Sequence, residues 1–388
     1  MKIEMAAAMD RLGTESAFEV LGRAKALEQQ GKHIINLGIG QPDFPTPEHI
    51  VEAAVKALRD GHHGYTPADG IPALKQAVAA DIAARRHVTI DPANVLIVPG
   101  GKVTMFFAIT MFGQPGAEII YPNPGFPIYQ SMINYSGAKA VAMPLHEKTG
   151  FSFNADEVLG LITSKTRLLI INSPGNPTGG VVGRAEMEKL VAGLESHPQV
   201  CILSDEIYSR MLYEDNEHVS LLEFPSIRDR VILLDGWSKT YAMTGWRLGY
   251  GVWPETLIEP ATRLAINCHS CVNAPSQYAG IAALEGPQDA VEAMVRSFDE
   301  RRRVITDELN QTKGIRSGVA GGAFYAFANI TGTGLKAIEF QDRMLNEAGV
   351  ATIAGSSFGE MGEGFVRFTY ANSRDNIKAA IGQIREIL

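Results

Sequence analysis

The sequence predicts an α/β fold in which helices cover both faces of a mostly parallel sheet, followed by a smaller α+β domain. Short apolar runs at residues 168–171, 200–203 and 231–234 alternate with helical patterns along most of the chain. Uninterrupted apolar runs of this length are typical of strands that are buried on both faces. Because strands and helices alternate, the strands are expected to be mainly parallel.

The composition is that of an ordinary globular protein, with 388 residues of which 45% are hydrophobic and 20% charged. This length predicts two or three domains. The net charge of -8 and the lack of a long basic run argue against nucleic acid or anionic membranes as partners. The N-terminus is too short and interrupted for a signal peptide, and no apolar run of about 18 residues predicts a membrane span. We therefore expect a cytoplasmic protein.

The chain has three cysteines, Cys201, Cys268 and Cys271. The last two form a Cys-His-Ser-Cys segment, which would suit a redox pair or half of a zinc site. A structural zinc site needs four ligands, usually as two such pairs, and the sequence has no second pair. We expect ordinary reduced thiols and no metal site.

The strand predicted at 231–234 ends just before a lysine. Ser238 and Lys239 follow it, and Arg247 comes eight positions after the lysine. A lysine just beyond a buried strand can lose hydration, and a desolvated lysine gives up its proton easily. A neutral amine can form a Schiff base with an aldehyde, while the hydroxyl and the arginine suit a phosphate. Together these groups predict a site for pyridoxal phosphate (PLP).

Residues 236–249 read Gly-Trp-Ser-Lys-Thr-Tyr-Ala-Met-Thr-Gly-Trp-Arg-Leu-Gly. This run resembles, at every constrained position, the lysine-attachment signature of class I/II aminotransferases, which are fold-type I PLP enzymes. The resemblance extends from about residue 15 to the end, and its motifs are closest to the bacterial aspartate aminotransferase-like subgroup. It implies a large domain with a mostly parallel seven-stranded sheet, a smaller α+β domain, and a homodimer with shared active sites.

The expected domain limits follow from this pattern. Residues 1–30 should form an N-terminal arm and helix joining the small domain, residues 31–287 the large PLP-binding domain, and residues 288–388 the small C-terminal domain. Within the large domain, Thr46 followed by Pro47 predicts a helix start, with threonine as the N-cap and proline at the first helical position.

After residue 288 the pattern changes to a long helix and then strands at 322–330 and 364–370. The arginines at 301–303 are expected to form a solvated face of that helix. Arg367 alternates with aromatic residues on the last strand, and arginine can bind a carboxylate through two parallel hydrogen bonds. The resemblance places the α-carboxylate of the substrate at Arg367.

Two segments near the N-terminus resemble substrate and cofactor loops of the family. An apolar run leads into Gly38, whose backbone would contact the substrate carboxylate. Tyr65 begins a Tyr-x-x-x-x-Gly-x-x-x-Leu-Lys segment, which departs from the family pattern by having Lys75 where arginine is usual. By resemblance, Tyr65 would reach across the dimer interface to the cofactor phosphate of the partner subunit.

Residues 94–102 predict a strand, a glycine turn and then a helix start, which is a typical anion site. The spacing does not match a nucleotide P-loop, because Leu96 stands where that motif needs glycine. The resemblance assigns the backbone amides of Gly101 and Lys102 to the PLP phosphate. It also implies that the Lys102 side chain faces the distal carboxylate of acidic substrates, although residues 103–105 depart from the usual Gln-Ala-Leu.

Four further residues follow predicted strands at the positions of family motifs. Phe126 would stack on the pyridine ring, which suits a flat apolar side chain. Asn176, in an Asn-Pro-Thr-Gly segment, would bind the phenolic oxygen of PLP and lie beside the substrate. Asp205 would pair with the pyridine nitrogen and keep it protonated. Tyr208 would bind the same phenolic oxygen as Asn176.

The resemblance implies that an amino group passes from an L-amino acid to PLP and then to a 2-oxo acid, with Lys239 as general acid and base. The main alternative is a PLP-dependent carbon–sulfur β-lyase on the same fold. A different class would be a non-catalytic PLP-binding regulator, although such proteins carry a winged helix-turn-helix for which little room precedes residue 15. The sequence leaves the amino donor and the oxo acceptor open.

Overall fold

A computed structural model describes residues 3–388 and shows how the helices surround the sheets. The α-helices of this part of the chain are α1 Ser16–Gln29, α2 Glu48–Arg59, α3 Pro72–Arg86, α4 Lys102–Phe112, α5 Pro127–Ser136, α6 Ala155–Gly160, α7 Arg184–Leu194, α8 Trp237–Thr240, α9 Glu255–His269, α10 Ala274–Glu285, α11 Asp289–Asn310, α12 Ala337–Arg343 and α13 Arg374–Ile387. Short 3-10 turns connect several of them.

The strands form three sheets. Their bounds are β1 Ile35–Asn36, β2 Val95–Val98, β3 Glu118–Asn123, β4 Lys139–Pro144, β5 Thr166–Asn172, β6 Cys201–Asp205, β7 Val231–Gly236, β8 Gly249–Val252, β9 Tyr325–Asn329, β10 Val350–Ala351, β11 Ile353–Ala354 and β12 Phe365–Thr369. The largest sheet has seven strands in the order β2-β8-β7-β6-β5-β3-β4.

This sheet is mostly parallel, as predicted. Strands β3 to β7 pair in parallel, and only β8 runs against its two neighbours, β2 and β7. Strand β2 therefore points in the same direction as β7, and its carboxyl end lies at the same edge of the sheet. Ligands of open α/β sheets bind at that edge.

The two faces of the sheet lie in separate hydrophobic cores, which explains the uninterrupted apolar runs. On β5, Leu169 and Ile171 belong to one core, whereas Leu168 and Ile170 belong to the other. Successive side chains of a strand point to opposite faces, so a strand covered on both sides has no position for a solvated residue.

The C-terminal region has a three-stranded antiparallel sheet in the order β11-β12-β9. Helix α1 packs on this region through Ala17, Val20 and Ala24, which share a core with Phe327 and Ile353. Strand β1 pairs in parallel with β10, so the chain before α2 is attached to the C-terminal region as well. No helix within residues 3–388 combines the length and apolar character required to cross a membrane.

Two local predictions are wrong. The helix that was expected to start with a Thr46 cap begins at Glu48 with Pro47 as the N-cap, and the Thr46 hydroxyl instead donates to the carbonyl of Ala242 at 2.9 Å. The arginines at 301–303 do not form one solvated face. Arg302 is only 1% exposed, because its guanidinium binds Asp299 and Glu214, and the Arg301 side chain is 11% exposed.

Candidate active site

A cavity of about 540 Å³ lies at the carboxyl edge of the seven-stranded sheet, where β2, β5, β6 and β7 end. Most of the residues singled out in the sequence line it. They are Gly101, Lys102, Phe126, Asn176, Asp205, Tyr208, Ser238, Lys239, Arg247 and Arg367. The cavity thus brings together residues from the large sheet and, through Arg367 on β12, from the C-terminal sheet.

Lys239 lies in α8, the short helix directly after β7, and its Nζ donates to the carbonyl of Gly40 at 2.6 Å. Burial lowers the pKa of Lys239 to about 8, and the positive charge of Arg367 acts in the same direction. A substantial fraction of this amine is therefore neutral near physiological pH, which is the form that attacks a carbonyl carbon.

The turn between β2 and α4 forms a cradle for an anion. Gly100 has a φ of +92°, and a Cβ atom there would lie 2.3 Å from an Arg247 guanidinium nitrogen. A side chain at this position would thus strain the backbone and displace the arginine. Gly101 precedes α4 and lines the cavity together with Ser238 and Arg247, so a helix amino terminus, a hydroxyl and a guanidinium converge there.

Asp205 ends β6 at the floor of the cavity, and its Oδ2 accepts a hydrogen bond of 2.6 Å from the Tyr129 hydroxyl. Burial raises the pKa of Asp205 to about 6, and the neighbouring charges of Asp235 and Glu206 add to the increase. The carboxylate has a neutral partner but no cationic one within the described residues. It is therefore suited to pair with a cation that enters the cavity.

Glu206, the next residue, lies in a buried charge network away from the cavity. Its Oε2 is 2.7 Å from both Arg86 Nε and His218 Nε2, and Arg86 also reaches Asp235 at 2.6 Å. Burial by itself would raise the pKa of Glu206, but His218 and Arg86 outweigh it and lower the pKa to about 2. This network joins α3 to the ends of β6 and β7 and leaves Asp205 free to face the cavity.

Arg367 is buried and makes two hydrogen bonds, to Asn176 Oδ1 at 2.8 Å and to the carbonyl of Gly38 at 2.5 Å. Its Nε is also buried but has no hydrogen-bond partner. The guanidinium lies over the rings of Tyr325 and Phe358 at 4.6 and 4.7 Å. Arg367 lines the cavity, and no carboxylate of the described residues pairs with it, so its guanidinium suits an anionic group that enters the cavity.

Two neighbouring contacts shape the rest of the floor. The hydroxyl of Tyr208 lies 2.8 Å from that of Tyr325, and burial raises the pKa of Tyr208 well above its ordinary value. The Asn172 side chain accepts from the backbone amide of Asn176 and donates to the carbonyl of Asp205. Asn172 therefore holds the ends of β5 and β6 together beneath the cavity.

At the outer end, Lys102 Nζ donates to Glu15 Oε2 at 2.8 Å and lies 5.2 Å from the centre of the Phe126 ring. Two of the predicted residues are placed elsewhere. Tyr65 is 93% exposed on the surface and does not line the cavity. Gly38 does not line the cavity either; its carbonyl accepts a hydrogen bond from Arg367, which does line it, and its amide donates to Asn36 Oδ1.

Sequence reasoning missed several polar residues that line the cavity, namely Glu15, Tyr129, Asn172 and Tyr325. Asn172 had a usable signal, because it stands at the carboxyl end of a predicted strand. Tyr129 lies in the first turn of α5, three positions after Phe126, and the two rings pack edge to face. Glu15 and Tyr325 come from distant segments, and no local pattern places them here. The three cysteines are unpaired, and Cys201 is buried.

The residues present fit PLP. The cradle offers backbone amides and an arginine for a phosphate, and Asp205 offers a carboxylate for a ring nitrogen. Lys239 offers a partly neutral amine for an aldehyde. Arg367 offers a cavity-lining guanidinium, without a carboxylate partner among the described residues, for a substrate carboxylate. The fold and the site therefore define a PLP-dependent enzyme of the α/β class.

Comparison with known proteins makes the class more specific. Residues 32–384 match the family described as aminotransferase class I and II, and the chain belongs to this family. An aspartate aminotransferase of Pyrococcus horikoshii is 38% identical over 95% of this chain and 93% of its own length. An aromatic-amino-acid aminotransferase of Thermococcus litoralis is 37% identical over 93% of both chains.

The structure agrees with the sequence comparison. The aspartate aminotransferase of Thermus thermophilus, solved with maleate, superposes with a TM-score of 0.95 at 30% identity, covering all of both chains. The fold is therefore that of fold-type I aminotransferases, and the protein is a PLP-dependent aminotransferase. The large parallel sheet and the smaller C-terminal sheet correspond to the architecture predicted from the sequence.

Proposed function

We propose that this aminotransferase moves the amino group of an L-amino acid to a 2-oxo acid in two half-reactions at one site, with dicarboxylic acids among its substrates. The observation that supports this is the convergence of Lys239, Asp205 and Arg367, from three separate elements, on one cavity. An amine, a carboxylate and a guanidinium in one enclosed space suit a cofactor aldehyde, its ring nitrogen and a substrate carboxylate.

Bound PLP supplies an electron sink that makes the proton on the substrate α-carbon acidic. Ser238, Arg247 and the amides of Gly101 and Lys102 would hold its phosphate, and Phe126 would stack on its ring. Asp205 would keep the ring nitrogen protonated, because a cation stabilises its buried carboxylate. Asn176 and Tyr208 would bind the phenolic oxygen.

The remaining groups act on the substrate. Arg367, which the Gly38 carbonyl helps to position, would bind the α-carboxylate and so hold the α-carbon near the Lys239 amine. The amine of Lys239 then removes the α-proton as a base and returns a proton as an acid. Its lowered pKa, about 8, places both protonation states within reach at neutral pH.

Lys102 is proposed to bind the distal carboxylate of a dicarboxylic substrate. It lines the outer end of the cavity, on the first turn of α4. Relatives of similar identity include both aspartate and aromatic-amino-acid aminotransferases, so a mixed substrate range is in keeping with the family.

We propose that the enzyme is a homodimer and that Tyr65 reaches the cofactor phosphate of the partner subunit. Its 93% exposure in the single chain supports this, because a large aromatic side chain is then available to another subunit. The division at residues 30 and 287 is proposed for the domains, with α1 joining the C-terminal region on which it packs and β1, just after residue 30, pairing with β10 of that region. Free thiols favour a reducing cytoplasm.

The function is tested with a panel of amino donors against pyruvate, oxaloacetate and 2-oxoglutarate. Lys239→Ala should retain some PLP without a covalent bond but lose turnover, whereas exposed Lys25→Ala should behave as wild type. Undiminished amino transfer by Lys239→Ala would refute its assigned role. Pyruvate release from cystathionine without any amino acceptor would favour a β-lyase instead.

A further inference from the structure

The N-terminal arm places a carboxylate on the lysine at the outer end of the cavity. Glu15, immediately before α1, accepts a 2.8 Å hydrogen bond from Lys102 Nζ. Both residues line the same cavity as Lys239 and Arg367. The Glu15 carboxylate therefore already neutralises the ammonium group that a distal substrate carboxylate would bind.

The surfaces around this ion pair are apolar. Glu15 and Lys102 are each followed three positions later by an apolar residue that also lines the cavity, Phe18 and Met105. Phe18 is 60% exposed, and Phe126 lies against Lys102 from the other side. Once the two charges cancel, the outer end of the cavity is left with apolar walls, which suit a neutral side chain.

We propose that Glu15 is a specificity-determining residue, which competes with the distal carboxylate of dicarboxylic substrates for Lys102 and so widens the substrate range to neutral, apolar amino acids. This proposal rests on the aminotransferase function and on the role of Lys102 proposed above. Glu15 precedes α1, whereas Lys102 begins α4 and Arg367 lies on β12. Glu15 is therefore a separate determinant of which substrate side chains the site accepts.

The energetics of the pair allow both kinds of substrate. The Lys102 side chain is 43% exposed and the Glu15 side chain 21%. An ion pair this exposed changes a binding equilibrium by at most about fivefold. A dicarboxylate can therefore displace Glu15 at modest cost. A neutral substrate leaves the pair intact and does not have to cover an ammonium group that lacks a counter-charge.

The first experiment compares wild type with Glu15→Gln, which removes the charge but keeps nearly the same shape. The value of kcat/KM is measured for aspartate and glutamate, and for alanine and phenylalanine. We expect the ratio of dicarboxylic to neutral substrates to rise roughly two- to fivefold. Glu19→Gln, an exposed carboxylate on the same helix that does not line the cavity, is the matched control and should leave the ratio unchanged.

The second experiment tests whether Glu15 acts through Lys102. In a Lys102→Met background, adding Glu15→Gln should no longer raise the ratio, because the two effects are coupled. A binding measurement on the PLP-loaded enzyme gives a readout independent of turnover. Titration followed by cofactor absorbance should show tighter succinate binding in Glu15→Gln, with the affinity for propionate unchanged.

The outcomes separate this proposal from the proposed function. A ratio that is unchanged or lower in Glu15→Gln, with normal amino transfer, would overturn the role of Glu15 alone. An unchanged ratio in Lys102→Met would overturn both the Lys102 assignment and this proposal. Absence of amino transfer in wild type would contradict the proposed function, while the succinate titration would still decide whether Glu15 competes.

Discussion

Asp205 and Glu206 are neighbours in sequence and both are buried, but the surroundings of their two carboxylates differ. On the cavity side, Asp205 has a neutral partner, Tyr129, and its pKa is raised to about 6. Away from the cavity, Glu206 is held by Arg86 and His218, and its pKa is lowered to about 2. Burial acts on both in the same direction, so the difference comes from the cations.

The comparison shows how one strand end serves two purposes. Around Glu206 the charges are balanced by residues of the chain itself, since every buried charge there has an opposite charge beside it. The region around Asp205 lacks a cation until a ligand brings one. A site of this kind gives up some stability of the free protein and gains affinity for the cofactor.

The largest effect is expected when Arg86, the cation that pairs with Glu206 and Asp235, is removed. Arg86→Met should lower the free energy of unfolding by about 3–5 kcal/mol, because Glu206 and Asp235 would remain buried without their partner. Urea denaturation of the cofactor-free protein measures this. Arg85→Met is the matched control, since Arg85 pairs with Asp81 nearer the surface and should cost well under 1 kcal/mol. Equal losses in both variants would contradict the comparison.

Removing the negative charge of Asp205 should affect catalysis rather than folding. Asp205→Asn should reduce kcat by about 10²–10³-fold, because the ring nitrogen loses the group that keeps it protonated. Steady-state kinetics measure this, with exposed Asp215→Asn as the control. If Asp205→Asn instead destabilised the free protein as much as Arg86→Met, the distinction between the two regions would be wrong.

The pH dependence of stability sharpens the contrast. The pKa of Asp205 is raised on folding, so its stabilising contribution is complete below the unfolded pKa near 4 and is lost as the pH rises through 6. The cofactor-free wild type should lose roughly 2–3 kcal/mol between pH 4 and 7 relative to Asp205→Asn. Glu206 behaves oppositely, and its contribution is lost only as the pH falls from about 4 toward 2. Parallel stability curves for wild type and Asp205→Asn between pH 4 and 7 would argue against the raised pKa.

The smallest effect concerns the hydroxyl that orients Asp205. Tyr129→Phe removes one hydrogen bond to a charged acceptor, and we expect kcat to fall about tenfold, corresponding to about 1.5 kcal/mol. PLP affinity measured by fluorescence should weaken in parallel. Phe substitution at Tyr135, on the same helix but outside the cavity lining, is the control. Wild-type kcat in Tyr129→Phe would show that the aspartate is positioned without it.

Much of the fold followed from local patterns. The runs at β5, β6 and β7 were recognised as buried strands because both of their faces are apolar. Asn176, Asp205 and Lys239 were then singled out because each follows the end of one of these strands. All three line the cavity. The Thr46 cap and the solvated arginines failed because distant residues, Ala242 and Glu214, provide the hydrogen-bond partners.

By itself the sequence determined the buried strands, the position of Lys239 directly after one of them, and the family to which the chain belongs, since these depend on residues close together in the chain. Only the tertiary structure decided which groups Lys102 and Asp205 contact. Glu15 and Tyr129 come from other segments, and their effect on charge depends on distances of about 3 Å that no periodicity encodes. Electrostatic energy in a buried site is set by such contacts, so pairing and pKa belong to the folded chain.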